Sequence, residues 1–308
     1  MRKLIRIGSR DSSLALWQAK FIEELLKKEG VQTELILVKS EGDINLTSPL
    51  YEMGVQGIFT KTLDVALLSS KIDIAVHSLK DVPTQLPKNL RIAAIPKRVN
   101  VKDVLVYKEP AFAISNNSGI TIATSSLRRK AQWLNKYPEH TIESIRGNIN
   151  TRLDKLKNTS HWKAALFAAA GIDRIGLDVP QRMELNWMLP APAQGALAVV
   201  CREDDPEVNE ICKKLNHHES AICTGIERSF LRNLKGGCSI PIASLAVVEK
   251  NKIMFKGNIL SLDGVRKVEI EMEFDLGQYE NAGKLAAEKL LAEGGDKIAQ
   301  ELKSLMTE

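Results

Sequence analysis

The stretch that decides the fold is TIATSSLRRKAQWLNKYPEHTIESIRGNINTRLDKL, residues 121–156. It contains one pattern twice: a short apolar run, a polar turn with serine, glycine or arginine, and then a segment with helical spacing of its apolar residues. The apolar runs are typical of buried strands, and the segments that follow them are typical of helices. Strands that alternate with helices predict an α/β protein with mainly parallel sheets.

The same alternation extends toward the N-terminus. LIRIG (4–8) predicts a buried strand, and Ser12 predicts the N-cap of a helix that Gly30 ends. IDIAVH (72–77) predicts another strand. The polar segment 40–58 predicts a long loop, and loops of this length usually act as lids or binding segments.

Toward the C-terminus, ALAVV (196–200) follows LPAPAQG (189–195) and is predicted to return the chain to the first domain. From about residue 219 onward the pattern changes to one helix, the turn KGGCSIP (235–241), three strands and two helices, which predicts a small α+β domain. The predicted domains are residues 1–96 with 194–216 (α/β), residues 97–193 (α/β) and residues 219–308 (α+β).

The composition is that of a globular protein, with 44% apolar and 26% charged residues among 308. A chain of this length is expected to form more than one hydrophobic core. No unbroken apolar run approaches the roughly 18 residues that a membrane span needs. We therefore expect a cytoplasmic protein without a membrane partner.

The four cysteines do not form a recognisable framework. They are 11, 11 and 15 residues apart, which fits neither a zinc site nor a redox dithiol, so free thiols are expected. The neighbouring His217 and His218, with Glu219, would not converge on one site from a helix, and no third ligand is apparent. We predict no metal site.

The net charge of +5 is unevenly distributed. Residues 97–190 contain 15 Lys and Arg against 8 Asp and Glu, a net charge of +7. This excess would attract an anionic ligand, and a solvated basic surface is the alternative interpretation. Nucleic acid is not the expected ligand, because no DNA-binding or RNP-like motif is present and only 5% of residues are aromatic.

Arginines cluster at the predicted strand-to-helix turns. In open α/β sheets these turns bind ligands, and helix N-termini offer unpaired N–H groups to anions. Since the planar guanidinium suits carboxylates, the cluster predicts a ligand with several of them, although each arginine taken singly also fits an ordinary surface position. The candidates are Arg10, Arg128, Arg129, Arg146, Arg152 and Arg174, with Ser126 beside them.

VHSLKDVP (76–83) places Lys80 and Asp81 directly after a predicted strand. A carboxylate near arginines stays ionised, so Asp81 could stabilise a cation or transfer a proton. The alternative is that Asp81 caps the turn before Pro83. His77 is predicted to be a packed strand-end residue rather than a catalytic base.

Eight segments, in this order and across nearly the whole chain, resemble segments of the hydroxymethylbilane synthases, also called porphobilinogen deaminases: SRDSSLALWQA, GDINLTSPL, DIAVHSLKDVPT, TSSLRRKAQ, IRGNINTRL, LPAPAQGALAV, LNHHES and KGGCSIPIA. Enzymes of this family are transferases that join four porphobilinogen molecules head to tail, expel ammonia and release linear hydroxymethylbilane for tetrapyrrole and haem biosynthesis. The resemblance implies two periplasmic-binding-protein-like α/β domains that flank a cleft, and a third domain. A monomer is expected.

The resemblance also implies a covalent cofactor, a dipyrromethane built from two porphobilinogen units and attached to Cys238 by a thioether. An accessible thiol on a Gly-Gly turn suits this attachment. The other cysteines, Cys201, Cys212 and Cys223, are expected to be buried and structural.

Residue roles follow from the matching motifs. Asp81 is implied to contact pyrrole nitrogens and to stabilise the azafulvenium-like cation formed as ammonia leaves. Contacts to the cofactor are implied for Lys80, Asp81, Ser126, Arg128, Arg129 and Arg146. Contacts to the substrate are implied for Arg10, Ser12, Arg152 and Arg174.

Three residues depart from the family's usual pattern: Gln56, Ala193 and Ser239 stand where lysine, glycine and glutamine are common. The missing lysine charge affects how the lid would meet substrate. A competing hypothesis is a non-catalytic anion-binding protein, which would share the two-lobed architecture. An export signal is not evident, and a simple receptor needs no exposed cysteine, so the enzyme is favoured.

Overall fold

The computed structural model describes residues 4–38, 60–110, 112–114, 119–236 and 240–307. The strands in this part of the chain are β1 (Ile5–Ser9), β2 (Thr33–Leu37), β3 (Ile74–Ser78), β4 (Leu90–Ala94), β5 (Asp103–Tyr107), β6 (Thr121–Ala123), β7 (Thr141–Glu143), β8 (Trp162–Ala168), β9 (Arg182–Glu184), β10 (Leu197–Arg202), β11 (Ile242–Glu249), β12 (Lys252–Leu260) and β13 (Lys267–Asp275). The helices are α1 (Ser13–Lys28), α2 (Lys61–Leu68), α3 (Leu127–Lys136), α4 (Ile149–Asn158), α5 (Ala169–Arg174), α6 (Pro206–Lys213), α7 (His218–Asn233), α8 (Ala282–Leu290) and α9 (Asp296–Thr307).

The first of two compact units comprises Met1–Val99, Asp173–Gly176 and Gly195–Ala221. Its sheet has the strand order β2-β1-β3-β10-β4. The apolar side chains of β1, β3 and β10 pack against α1 and α6, with Ile7 and Ile22 fully buried. Since β10 pairs with β3 and β4, the predicted return of the chain to the first sheet after LPAPAQG is confirmed.

The second compact unit comprises Asn100–Ile172, Leu177–Gln194 and Ile222–Glu308. It contains a sheet of order β7-β6-β8-β5-β9 and an antiparallel sheet of order β11-β12-β13. The antiparallel sheet packs against α7, α8 and α9 around Phe230 and Phe255, whose ring centroids are 5.1 Å apart. The α/β class with an α+β C-terminal block is confirmed. The three-domain division stays a prediction, because the second unit includes both of these sheets.

The prediction of mainly parallel sheets is wrong. Strand β10 runs antiparallel to both of its neighbours, and β5 does the same in its own sheet. Each of these strands follows directly on a segment of the other compact unit. No strand–helix–strand crossover within one sheet therefore fixes its direction.

The parallel strands nevertheless bring the polar turns to common sheet edges. Strands β1 and β3 are parallel neighbours, so Arg10 and the segment after Ser78 follow the same edge of the first sheet. Strand β6 is parallel to β7 and β8, so the turns before α3 and α4 follow one edge of the second. Each unit thus gathers its own group of candidate residues.

A close approach of α7 and α8 makes one glycine essential. A Cβ atom at Gly283 would lie 2.4 Å from the Ile226 carbonyl oxygen and 2.8 Å from the Phe230 nitrogen. These are backbone atoms of α7, which cannot move away as a flexible side chain would. We expect Gly283→Ala to lower the free energy of unfolding by about 3 kcal/mol, measured by urea denaturation.

The matched control is Gly225→Ala on the exposed side of α7. Apart from its neighbours and the backbone of its own helix, a Cβ at Gly225 would have no atom within 4 Å. This change should therefore raise the free energy of unfolding by about 0.5–1 kcal/mol through helix propensity alone. Equal effects of the two substitutions would show that helix propensity, not close packing, governs Gly283.

Candidate active site

The turn that follows β3 presents Lys80 and Asp81. It is a short 3₁₀ turn, Leu79–Asp81, anchored by the buried side chains of Leu79 and Val82. The Leu79 N–H donates to the Ala196 carbonyl oxygen at 2.9 Å, which ties the turn to the start of β10. Asp81 is exposed, and Lys80 is half-buried. A rigid backbone thus holds an exposed carboxylate at the edge of the sheet.

Arg10 and Ser12 lie at the end of the adjacent strand. The Ser12 hydroxyl accepts from the Ala15 N–H at 3.4 Å and caps α1, as predicted. Burial, aided by the positive charge of Arg10, lowers the pKa of His77 to about 4, so this imidazole is neutral at physiological pH. His77 is 7% exposed, in agreement with the prediction that it packs at the strand end.

Arg174, at the end of α5, also belongs to the first unit. Its Nη2 donates to the Gly195 carbonyl oxygen at 2.8 Å, and its guanidinium lies 5.8 Å from the ring centroid of Trp17. Burial lowers the pKa of Arg174 to about 10, which still leaves the side chain charged at neutral pH. The structure therefore fixes this cation between an aromatic ring and a main-chain oxygen.

In the second unit, Ser126, Arg128 and Arg129 stand at the start of α3. The Ser126 hydroxyl caps the helix by accepting from the Arg129 N–H at 3.4 Å. Both guanidinium groups are buried, and both pair with Asp103, the fully buried first residue of β5. Burial works to raise the pKa of Asp103, but the charges of Arg128 and Arg129, with hydrogen bonds from Arg128 and Gln194, outweigh it and hold the pKa well below its usual range.

Arg146 and Arg152 flank the start of α4. Arg146 is half-buried in the turn after β7, and the Asn148 side chain caps α4 by accepting from the Thr151 N–H at 2.9 Å. Gly147 has φ of +115°, and a Cβ there would lie 2.8 Å from Thr151 Cβ, so this turn requires glycine. The Arg152 guanidinium lies 5.2 Å from the Phe167 ring centroid.

The motif residues missed by the sequence reasoning are Asp103 and Gln194. Asp103 has one weak signal, a charged residue at the head of the apolar run VLVY. Gln194 stands in the APAQG turn, where its amide donates to Asp103 at 3.1 Å. Neither residue follows a strand and precedes a helix, which was the pattern used to find the other candidates.

Cys238 and the departures Gln56 and Ser239 lie outside the described residues. The other three cysteines are buried free thiols. Burial raises the pKa of Cys201 to about 11 and that of Cys212 to about 12, which keeps both thiols protonated and unreactive.

The described residues contain no group of three His, Cys, Asp or Glu side chains placed to hold a metal ion. His217 instead caps a helix, with Nδ1 accepting from the Ser220 N–H at 3.3 Å. Across the same described ranges, no helix combines the length and apolarity needed to cross a membrane.

Comparison with known proteins gives two domain matches in tandem. The family model "Porphobilinogen deaminase, dipyromethane cofactor binding domain" matches residues 5–210, and "Porphobilinogen deaminase, C-terminal domain" matches residues 221–292. Among solved structures, the VFT2 domain of BvgS from Bordetella pertussis has a TM-score of 0.43 and 13% identity, covering 71% of this chain and 90% of that chain.

Curated relatives match over their full length. The porphobilinogen deaminase of Desulforamulus reducens is 42% identical to this chain, and the match covers 99% of each of the two proteins. That of Chlorobium phaeobacteroides is 40% identical, covering 98% of this chain and 99% of the relative. With such identity from end to end and both domain models in their proper order, the chain belongs to the porphobilinogen deaminase family.

Proposed function

We propose that the chain is a hydroxymethylbilane synthase, a transferase that joins four porphobilinogen molecules head to tail with loss of ammonia and releases linear hydroxymethylbilane for tetrapyrrole and haem biosynthesis. The observation that carries the proposal is family membership over residues 5–210 and 221–292. The first of these family domains is named for a dipyrromethane cofactor.

Buried arginine N–H groups support a ligand with several carboxylates. Within the described residues, Arg128 Nε, Arg146 Nη1 and Arg174 Nε are buried without a hydrogen-bond partner. An unpaired buried donor costs roughly 1–3 kcal/mol, which a ligand carboxylate would recover as a charge-assisted hydrogen bond. Each porphobilinogen unit carries an acetate and a propionate group. The donors of Arg128 and Arg146 therefore fit the carboxylates of a cofactor built from two such units, and the donor of Arg174 fits a carboxylate of an added porphobilinogen.

The assignment of residues follows the family motifs. When bound through a thioether to Cys238, the dipyrromethane supplies the pyrrole carbon on which the chain is extended. The residues assigned to hold it are Lys80, Asp81, Ser126, Arg128, Arg129 and Arg146. Those assigned to the substrate carboxylates are Arg10, Ser12, Arg152 and Arg174. Of these, Ser12 caps the N-terminus of α1, the end of a helix that favours anions.

Asp81 is assigned the catalytic role. Its turn is fixed by the buried Leu79 and Val82, so the exposed carboxylate is preorganised. It accepts a hydrogen bond from a pyrrole N–H and stabilises the cation that forms when porphobilinogen loses ammonia. It then helps to remove the proton from the pyrrole ring carbon that has formed the new bond to this cation.

The enzyme is further proposed to act as a monomer in the cytoplasm, without nucleic-acid or membrane partners. Free buried thiols at Cys201, Cys212 and Cys223 suit a reducing compartment. Sedimentation equilibrium tests the monomer, and the mass of a dimer would overturn it.

The experiment that tests the function is the intact mass of the purified protein under denaturing conditions. The wild type should be heavier than its sequence by two porphobilinogen units less two ammonia molecules. If it has the bare sequence mass, porphobilinogen is added to the folded protein and the measurement is repeated. Absence of the adduct after this step would refute the synthase and favour a non-catalytic anion-binding protein.

A further inference from the structure

The carboxylate of Asp103 holds both arginines of α3 in one arrangement. Its Oδ2 accepts from Arg128 Nη1 at 2.7 Å, and its Oδ1 accepts from Arg128 Nη2 at 3.1 Å and from Arg129 Nε at 2.8 Å. Asp103 is 0% exposed, so no water competes for these bonds. One side chain therefore sets the direction of two guanidinium planes.

Main-chain oxygens complete the arrangement. Arg128 Nη1 also donates to the Leu189 carbonyl oxygen at 2.7 Å, and Arg129 Nη1 donates to that of Leu166 at 3.1 Å. Leu189 is itself held by Gln132, whose amide both donates to its carbonyl and accepts from its N–H, at 2.9 and 2.8 Å. Neither arginine can turn without breaking charge-assisted bonds in a buried region.

The turn APAQG (191–195) holds the Asp103 side chain in place through Gln194. Gln194 Nε2 donates to Asp103 at 3.1 Å and to the Val101 carbonyl oxygen at 2.8 Å. The preceding residue, Ala193, has φ of +63°, and its N–H donates to the buried carboxylate of Glu227 at 2.6 Å. Glu227 also accepts from the Ala246 N–H at 2.8 Å, which ties the turn to β11.

The cluster formed by Asp103, Arg128 and Arg129 has an excess positive charge that one anion could balance. A single carboxylate faces two guanidinium groups, so Asp103, Arg128 and Arg129 together carry a charge of +1. Arg128 Nε is buried and finds no acceptor among the described residues. An anion with one negative charge would neutralise the cluster and could accept from this N–H.

We propose that Asp103, held by Gln194, is a positioning residue that orients Arg128 and Arg129 to receive one ligand carboxylate. The identity of that ligand as a pyrrole rests on the proposed function. Asp103 has two opposing effects on anion binding. Asp103 lowers the total charge of the arginine pair, which weakens anion binding, and it fixes the geometry of the pair, which strengthens it.

The test compares Asp103→Asn with Asp73→Asn. Asp73 is the matched control, because it is 2% exposed and pairs with Arg6 and Arg202 just before β3, at the other end of that strand from Asp81. Both changes remove a buried carboxylate from two arginines, so both should lower Tm by roughly 5–15 °C. Only the first should affect the binding of carboxylates.

Binding is measured without turnover, as the Tm shift caused by glutarate at constant ionic strength. Both changes are made in the Cys238→Ser background, so that no adduct occupies the arginines. Glutarate should raise Tm by at least about 2 °C in that background and in the Asp73→Asn protein, and by less than half as much after Asp103→Asn. An equal or larger rise after Asp103→Asn overturns the proposal, since charge alone would predict tighter binding. Absence of a rise in the background protein also overturns it.

The second measurement uses porphobilinogen and an intact Cys238. Each protein is produced in cells that cannot make porphobilinogen, so that it carries no adduct at the start. Formation of the adduct, followed by mass, should be about tenfold slower in Asp103→Asn than in the wild type and unchanged within twofold in Asp73→Asn. Unchanged loading of Asp103→Asn would contradict the proposal. If no protein loads, the wild type included, the proposed function fails and the glutarate comparison alone decides the role of Asp103.

Gln194→Met keeps the test valid if Asp103→Asn does not fold. It leaves the carboxylate and both ion pairs in place and removes only the amide that holds Asp103. The Tm shift caused by glutarate should fall by about half in Gln194→Met. A further variant, Asp103→Glu, keeps the negative charge and should restore part of the rate of adduct formation that is lost in Asp103→Asn. A Gln194→Met protein with the full glutarate shift would show that the APAQG turn does not position the cluster.

Discussion

Cys238→Ser is expected to give a folded protein with its bare sequence mass and no hydroxymethylbilane synthesis. The hydroxyl of serine is a far weaker nucleophile than a thiolate, so the thioether cannot form and the primer is lost. Without a covalent primer, no chain is extended, and activity should fall below detection. The two measurements are the intact mass after incubation with porphobilinogen and the rate of product formation.

The matched control is Cys212→Ala. Cys212 is fully buried in α6, and burial raises the pKa of its thiol to about 12, so it should never react with a pyrrole. This variant should carry the full adduct mass and lose only about 1 kcal/mol of stability through the missing sulfur. An adduct that survives Cys238→Ser, or one that disappears in Cys212→Ala, would move the attachment site away from Cys238.

Much of the fold could be predicted from local sequence, because the strands and helices have clear apolar periodicity. Ser12 was recognisable as an N-cap because a capping hydroxyl acts within its own helix turn. The antiparallel insertion of β5 and β10 could not be predicted, since the direction of a strand depends on which sheet it joins. Apolar runs are similar in both directions.

The residues of the candidate site likewise divide into those that local sequence indicates and those that it does not. A position after a strand and before a helix marks Arg128 and Arg129 as candidate ligand-binding residues, and that inference uses only the local order of strands and helices. Their pairing with Asp103 depends on a contact across 25 and 26 residues, which no local pattern reports. The hydrogen bond from Gln194 could not be predicted either, because its partner Asp103 lies 91 residues away. Sequence therefore indicates the groups proposed to bind the ligand better than the groups proposed to orient them.

Asp81→Asn is expected to lower kcat for porphobilinogen consumption by about a hundredfold or more. Asparagine keeps the shape of the side chain but removes the negative charge that would stabilise the cation formed as ammonia leaves, and it cannot accept the proton. KM should change by less than about threefold, because the substrate carboxylates are assigned to arginines. Since Asp81 is exposed, the free energy of unfolding should change by less than about 0.5 kcal/mol.

The control for Asp81→Asn is Asp204→Asn, which neutralises another exposed carboxylate, in the turn after β10. Because β10 runs antiparallel to β3, Asp204 lies at the opposite edge of the same sheet from Asp81. Loss of one negative charge from the unit is common to both variants, so a general electrostatic effect would slow both. We expect Asp204→Asn to keep wild-type kcat.

Mass spectrometry of single turnovers should then show the Asp81→Asn protein with its primer but with few added pyrrole units. Wild-type extension by Asp81→Asn would exclude the carboxylate from the chemical step and limit Asp81 to capping the turn before Pro83.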